Sequence, residues 1–202
     1  MYSIPFNYLT GKMQLSRETC RLFVALLPPQ TIQDQVKALQ QEMADRYGSR
    51  AALRSPPHIT LQPPFEWPST ELFRISEALT AFASQHRPLA LTLSGFRAFA
   101  PRVIFVDVVK SPDLLNLHSA LLAHTEQTLG VVDAIGKQRP FTPHMTIGFR
   151  DLTRHNFRLA WPGFQSRPFH AEFLADSLTL LRHNGQRWNV DQQFILGDKA
   201  QG

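Results

Sequence analysis

One cysteine, Cys20, stands in a chain of 202 residues. A lone thiol closes no internal disulfide and leaves a cysteine-based metal site without a second ligand. A reducing cytoplasm is the expected location. Nowhere do eighteen apolar residues run together, so no membrane span is expected. The opening "MYSIPFNYLTGKMQLSRETC" has neither a basic start nor a continuous apolar stretch, and no secretory leader is read there. Lysine and arginine form no run, which excludes a basic tail. Low-complexity linkers are missing as well. Residues 1–18 read as an N-terminal extension, and residues 19–202 as one domain.

What is present is ordinary for a soluble globular chain, with 43% hydrophobic and 18% charged residues. The formal net charge of +5 favours a polyanionic partner, nucleic acid included. Nothing calls for an obligate protein partner, and a monomer is expected.

Apolar spacing divides the chain into elements. "CRLFVALLP" (20–28) is a compact apolar run stopped by two prolines and reads as a buried strand. Ile32, Val36, Leu39 and Met43 fall at helical spacing over 29–47, and Gly48 suits the helix end. A strand at 58–62 precedes a second helix over 69–86, with Ser69 or Thr70 as its cap. Strands follow at 89–96 and 102–109, turning near Ala100-Pro101. Ser111-Pro112 opens a third helix that Gly130 ends. A strand at 144–149 comes next, and Asn184-Gly185 marks a closing hairpin. Alternating apolar positions favour antiparallel or mixed sheets, so the fold class is α+β.

One pattern is written twice: Pro57-His58-Ile59-Thr60-Leu61, and 86 residues later Pro143-His144-Met145-Thr146-Ile147. Two such copies should arise by chance roughly once in tens of thousands of chains of this composition. A pseudo-repeat of two α+β lobes, each contributing one such strand, accounts for the echo. On a strand, residues two apart share a face. His58 and Thr60 therefore share one, and His144 and Thr146 another. By the same alternation Gln62 joins the His58 face and Arg150 the His144 face, both as candidate phosphate or sugar contacts.

Two imidazoles and two hydroxyls suit phosphodiester chemistry. Imidazole titrates near neutrality, so one ring can accept a proton while its neighbour donates one. Threonine hydroxyls can hold the non-bridging oxygens. No metal or other cofactor is required, and no carboxylate or thiolate accompanies the two histidines as ligand. Phe65 and Trp67 either stack on a base or pack in the core. The other six histidines read as surface or capping residues. Arg97, Arg102 and Arg139 are further basic candidates for the cleft.

The paired H-x-T-x motifs resemble those of the 2H phosphoesterase superfamily, nearest to its bacterial 2′-5′ RNA ligase-like members, the RNA 2′,3′-cyclic phosphodiesterases. "RLFVALLPPQTIQDQV" (21–36) resembles that family's opening strand and helix, and "FTPHMTIGF" its second motif. The continuation "QPPFEW" points to another branch, and the arginine after the second motif, Arg150, comes one residue later than is usual. The resemblance implies two pseudo-symmetric lobes of mostly antiparallel sheet, with helices outside and a basic central cleft. It implies that His144 activates water and His58 protonates the departing 3′ oxygen. The expected substrate is RNA, or an oligonucleotide, ending in a 2′,3′-cyclic phosphate, opened to a 2′-phosphate, with reversible 2′-5′ ligation as a companion reaction. The alternatives are a non-catalytic module that binds RNA ends and a phosphodiesterase for small cyclic nucleotides.

Overall fold

The computed structural model describes residues 18–133 and 140–197. The extension therefore lies, but for Glu18, outside the described residues, as does Arg139. The elements run β1 (Thr19–Leu26), α1 (Gln30–Tyr47), β2 (Ile59–Pro68), α2 (Leu72–Ala83), β3 (Leu89–Phe99) and β4 (Val103–Val108). They continue as α3 (Pro112–Leu129), β5 (His144–Gly148), α4 (Arg154–Gln165), β6 (His170–Ala175), β7 (Ser177–His183) and β8 (Trp188–Ile195). Short 3-10 turns at Ala51–Arg54 and Ser69–Glu71 precede β2 and α2.

The strands form two four-stranded sheets, ordered β2-β1-β7-β8 and β5-β4-β3-β6, and every pairing is antiparallel. The α+β class and the two-lobed arrangement thus follow the repeated pattern. The unit β1-α1-β2 in one sheet corresponds to β4-α3-β5 in the other. The two Pro-His segments open equivalent edge strands, β2 and β5, which approach each other between the sheets.

The helices are exchanged between lobes. Although α1 connects two strands of the first sheet, it packs on β5 of the second and on α4. Conversely, α3 connects two strands of the second sheet and packs on β2 of the first, beside α2. Periodicity explains the buried faces: Ile32, Val36, Leu39 and Met43 of α1, and Leu114, Leu117 and Leu121 of α3, all enter one continuous core.

Glycines close α1 and α3 as expected, since Gly48 (φ 67°) and Gly130 (φ 70°) take the left-handed conformation that lets backbone N–H groups return to the last turn. Ser111 caps α3 by accepting a bond from the Leu114 N–H at 3.2 Å. Neither Ser69 nor Thr70 caps α2: both lie in the 3-10 turn before it, and the helix begins at Leu72 without a side-chain cap. The closing hairpin forms where expected, with Gly185-Gln186 at its tip: the Asn184 N–H donates to the Arg187 carbonyl at 3.1 Å, and Asn184 Oδ1 accepts from the Gln186 and Arg187 N–H groups. Helix α4 and strand β6 were not expected. Pro162-Gly163 reads as a breaker, but it falls in the last turn of α4, where only one carbonyl loses its partner; Thr153 caps the other end.

Candidate active site

Both histidines are anchored in the same way. The Nδ1–H of His58 donates to the carbonyl of Pro56 at 2.7 Å, and that of His144 to the carbonyl of Thr142 at 2.7 Å. The bond to a carbonyl two residues back fixes each ring and leaves its Nε2 for the cleft. Ser55 Oγ lies 3.0 Å from the same nitrogen of His58. Each ring also rests on a phenylalanine from the neighbouring central strand, Phe23 at 4.8 Å from His58 and Phe105 at 4.9 Å from His144. The two phenylalanines do not stand at equivalent places: Phe105 pairs with Thr146, whereas Ala25, two residues beyond Phe23, pairs with Thr60.

His58, Thr60, His144 and Thr146 line one cleft of about 480 Å³. Arg150 lines it too, although β5 ends at Gly148 and Arg150 sits outside the strand with φ 56°. Its guanidinium lies over the ring of Phe149, 5.2 Å from the centroid. The arginine thus reaches the cleft from a turn, not from the strand face that alternation assigned to it.

Gln62 does not reach the cleft. Its side chain is 1% exposed, and its Oε1 accepts the hydroxyl of Thr125 on α3 at 3.0 Å. The cause is a β-bulge: Thr60 pairs with Ala25 and Gln62 with Val24, so Leu61 is an extra residue and the face changes after Thr60. The second copy has the same device. Thr146 pairs with Phe105 and Gly148 with Ile104, which makes Ile147 the extra residue. Each bulge turns the next residue toward the helix donated by the other half: Gln62 bonds α3, and Gly148 admits Met43 of α1, whose Cε would lie 2.6 Å from an added Cβ. Replacing Gln62 with alanine is expected to reduce stability by about 1–3 kcal/mol, because a buried bonded amide is lost. KM for any cleft ligand should stay within twofold of the parent; denaturant unfolding and steady-state kinetics check the two parts.

Burial lowers the pKa of His58 from 6.5 to about 4, opposed by the Pro56 carbonyl and assisted by the charge of His144. Burial also lowers His144, opposed by the Thr142 carbonyl and by Asp107, its partner across the β4–β5 ladder. Asp107 is itself raised by burial, against the pull of Arg97, 3.8 Å away. No carboxylate offsets burial at His58 in this way. His144 is therefore the ring that gains a proton more readily.

Other candidates are placed as follows. Trp67 is 7% exposed and donates from Nε1 to the carbonyl of Glu71, and Phe65 packs against the core; neither lines the cleft. Phe23, Phe99, Phe149 and Trp188 do line it, with Phe99 edge-on to His144 at 5.2 Å and Trp188 edge-on to Phe23 at 4.6 Å. Arg97 and Arg102 stay off the wall, whereas Arg54 is on it. His183 is also on it, contrary to its reading as a surface residue, because the hairpin brings β7 and β8 to the cleft. Gln40 of α1, 3% exposed, donates from Nε2 to the carbonyl of Thr146 at 3.1 Å and steadies β5. None of Arg54, Gln40, Phe99 or Trp188 belongs to a repeated motif, so spacing gave no reason to select them. Among the described residues no three His, Cys, Asp or Glu side chains gather as a metal site, and no helix is long and apolar enough to cross a membrane.

Two facing sheets with a histidine and a threonine on each inner edge define the class, and the comparisons name it. The chain belongs to the 2′-5′ RNA ligase superfamily, whose family model matches residues 28–187, and so to the 2H phosphoesterases. Among its relatives are proteins named "Putative phosphoesterase" from Geobacillus kaustophilus and Oceanobacillus iheyensis. The first is 31% identical, covering 87% of this chain and 96% of the relative; the second is 32% identical over 86% and 96%. Solved structures share the fold. TT0787 of Thermus thermophilus superposes with a TM-score of 0.65 at 24% identity, covering 89% of this chain and 99% of its own. E. coli LigT complexed with 3′-AMP gives 0.64 at 22%, with the same coverage.

Proposed function

We propose that this phosphoesterase-family chain opens the 2′,3′-cyclic phosphate at the 3′ end of an RNA to a 2′-phosphate, without a metal ion. One observation carries the reading: two imidazoles, each tied at Nδ1 to a carbonyl two residues back, line one cleft together with Thr60 and Thr146. Water attacks phosphorus as one Nε2 takes its proton. The P–O3′ bond breaks, and the other Nε2–H supplies the proton that O3′ needs. Attack and departure lie on opposite sides of phosphorus, and the two histidines come from opposite lobes. Thr60, Thr146 and Arg150 hold the non-bridging oxygens, where charge concentrates in the transition state. A 5′-hydroxyl in place of water gives a 2′–5′ phosphodiester by the same proton transfers, which is the ligation reaction.

The test is incubation with an oligoribonucleotide ending in 2′,3′-cyclic phosphate in excess chelator. A 2′-phosphate product supports the reading. Loss of turnover on chelation, or a 3′-phosphate product, overturns it. Binding of the end without any product would leave an end-binding module instead.

A further inference from the structure

A second cavity, a groove of about 610 Å³, lies beside the cleft. The two share Gln40, Arg54, Ser55 and Trp188 among their walls, so they are immediate neighbours. Lys37, Arg54 and Arg187 line the groove against a single carboxylate, Asp34, which already takes the amide of Gln30 at 2.7 Å. None of the three cations makes an ion pair among the described residues. At the junction, the buried Oε1 of Gln40 accepts no hydrogen bond among the described residues, and Trp188 offers an aromatic wall to both spaces.

A cyclic mononucleotide carries one phosphate, and the chemistry holds that phosphate between the histidines. Nothing in such a ligand accounts for three unpaired cations in the space beyond. A polynucleotide accounts for them, since its cyclic phosphate terminates the 3′ end and all its other phosphates lie on the 5′ side. Cations that track a backbone, with an aromatic side chain for a base, are what binds single strands without reading sequence.

Resting on the reading of the cleft given above, we infer that the groove lined by Lys37, Arg54 and Arg187 binds the nucleotides upstream of the cyclic end, making a single-stranded oligoribonucleotide the preferred substrate over a cyclic mononucleotide. Arg54, at the junction, touches the first internal phosphate, and Lys37 and Arg187 the next ones.

The experiment compares kcat/KM for a 2′,3′-cyclic mononucleotide and for a six-nucleotide RNA with the same end, using the full chain and a Lys37→Ala/Arg187→Ala variant. Both residues are exposed and stand outside the set assigned to the chemistry. The wild type should prefer the oligonucleotide. The variant should lose about tenfold in kcat/KM on the oligonucleotide, through KM, and remain within twofold on the mononucleotide. The slope of log(kcat/KM) against log[salt] for the oligonucleotide should flatten by about 1.4, or about 0.7 for each single-strand phosphate contact removed. Equal use of both substrates by the wild type overturns the inference while leaving the phosphodiesterase reading intact. So does an equal loss on both, or no loss on either, in the variant. If neither substrate is opened, the phosphodiesterase reading falls, and fluorescence anisotropy of the same RNA decides the groove. Tighter wild-type binding with the steeper salt slope supports it; identical binding by wild type and variant overturns it.

Discussion

His58→Ala and His144→Ala are each expected to lower kcat on a 2′,3′-cyclic phosphate end by about 10²–10⁴-fold, the range over which a positioned acid or base contributes. The double variant should be little worse than either single one, because the two rings act in one proton circuit. KM should change far less, since the proposal leaves the phosphate oxygens to Thr60, Thr146 and Arg150. Rates from rapid quench and product gels measure this. Activity that survives either substitution would remove that histidine from the chemistry. The same variants separate acid from base when an aryl phosphodiester is the substrate, because an aryloxide departs without a proton. Rescue of His58→Ala alone gives the acid to His58, the assignment that the family resemblance implies. Rescue of His144→Ala alone gives it to His144, which Asp107 makes the easier ring to protonate in the free cleft.

The second large effect concerns pH. With both rings lowered by burial, the pair in the free protein loses its protons at lower pH than free imidazole does. The kcat/KM profile should therefore be bell-shaped with its maximum on the acid side of 6.5, falling on the alkaline limb as the last of them is lost. A bound phosphate anion favours imidazolium, so the kcat profile should sit at higher pH than that of kcat/KM. A flat kcat/KM from pH 6 to 9 would contradict paired acid–base chemistry. Stability carries the same signature. The unfolded chain binds a proton at His58 near 6.5 and the folded chain near 4, so between these values the unfolded state binds more. Stability is then fully present above pH 6.5 and is lost as pH falls toward 4, by at most about 3 kcal/mol for this group. Denaturant unfolding at pH 7.5 and 4.5 should show the loss in wild type and a smaller one in His58→Gln, which has no proton to gain there.

The residues that carry strong periodicity were legible from the sequence. Strand β1, helices α1 and α3, and the shared face of His58 with Thr60 and of His144 with Thr146 follow from spacings of two and of three to four. Alternation then failed at one kind of place. A bulge follows each threonine, at Leu61 and at Ile147, and one extra residue reverses the side on which the next residue lies. That is why Gln62 is in the core, holding α3; Arg150 enters the cleft from a turn because β5 has already ended at Gly148. Bulged and unbulged strands have the same hydrophobic pattern locally, since Leu61 and Ile147 are apolar in either case. Helix α4 was hidden by Pro162-Gly163, whose effect depends on distance from the helix end and not on composition. The walls of the cleft contributed by Arg54, Trp188 and Phe99 come from separate segments that only the tertiary fold brings together.

The exchange of α1 and α3 binds the two copies into one object. Parting the lobes would strip α1 from β5 and α3 from β2 and expose apolar surface on both sides at once, so neither lobe is expected to fold alone. Gly148 and Gln62, at equivalent places, meet a methionine of α1 and a threonine of α3, and each lobe is thus fitted to the helix it borrows.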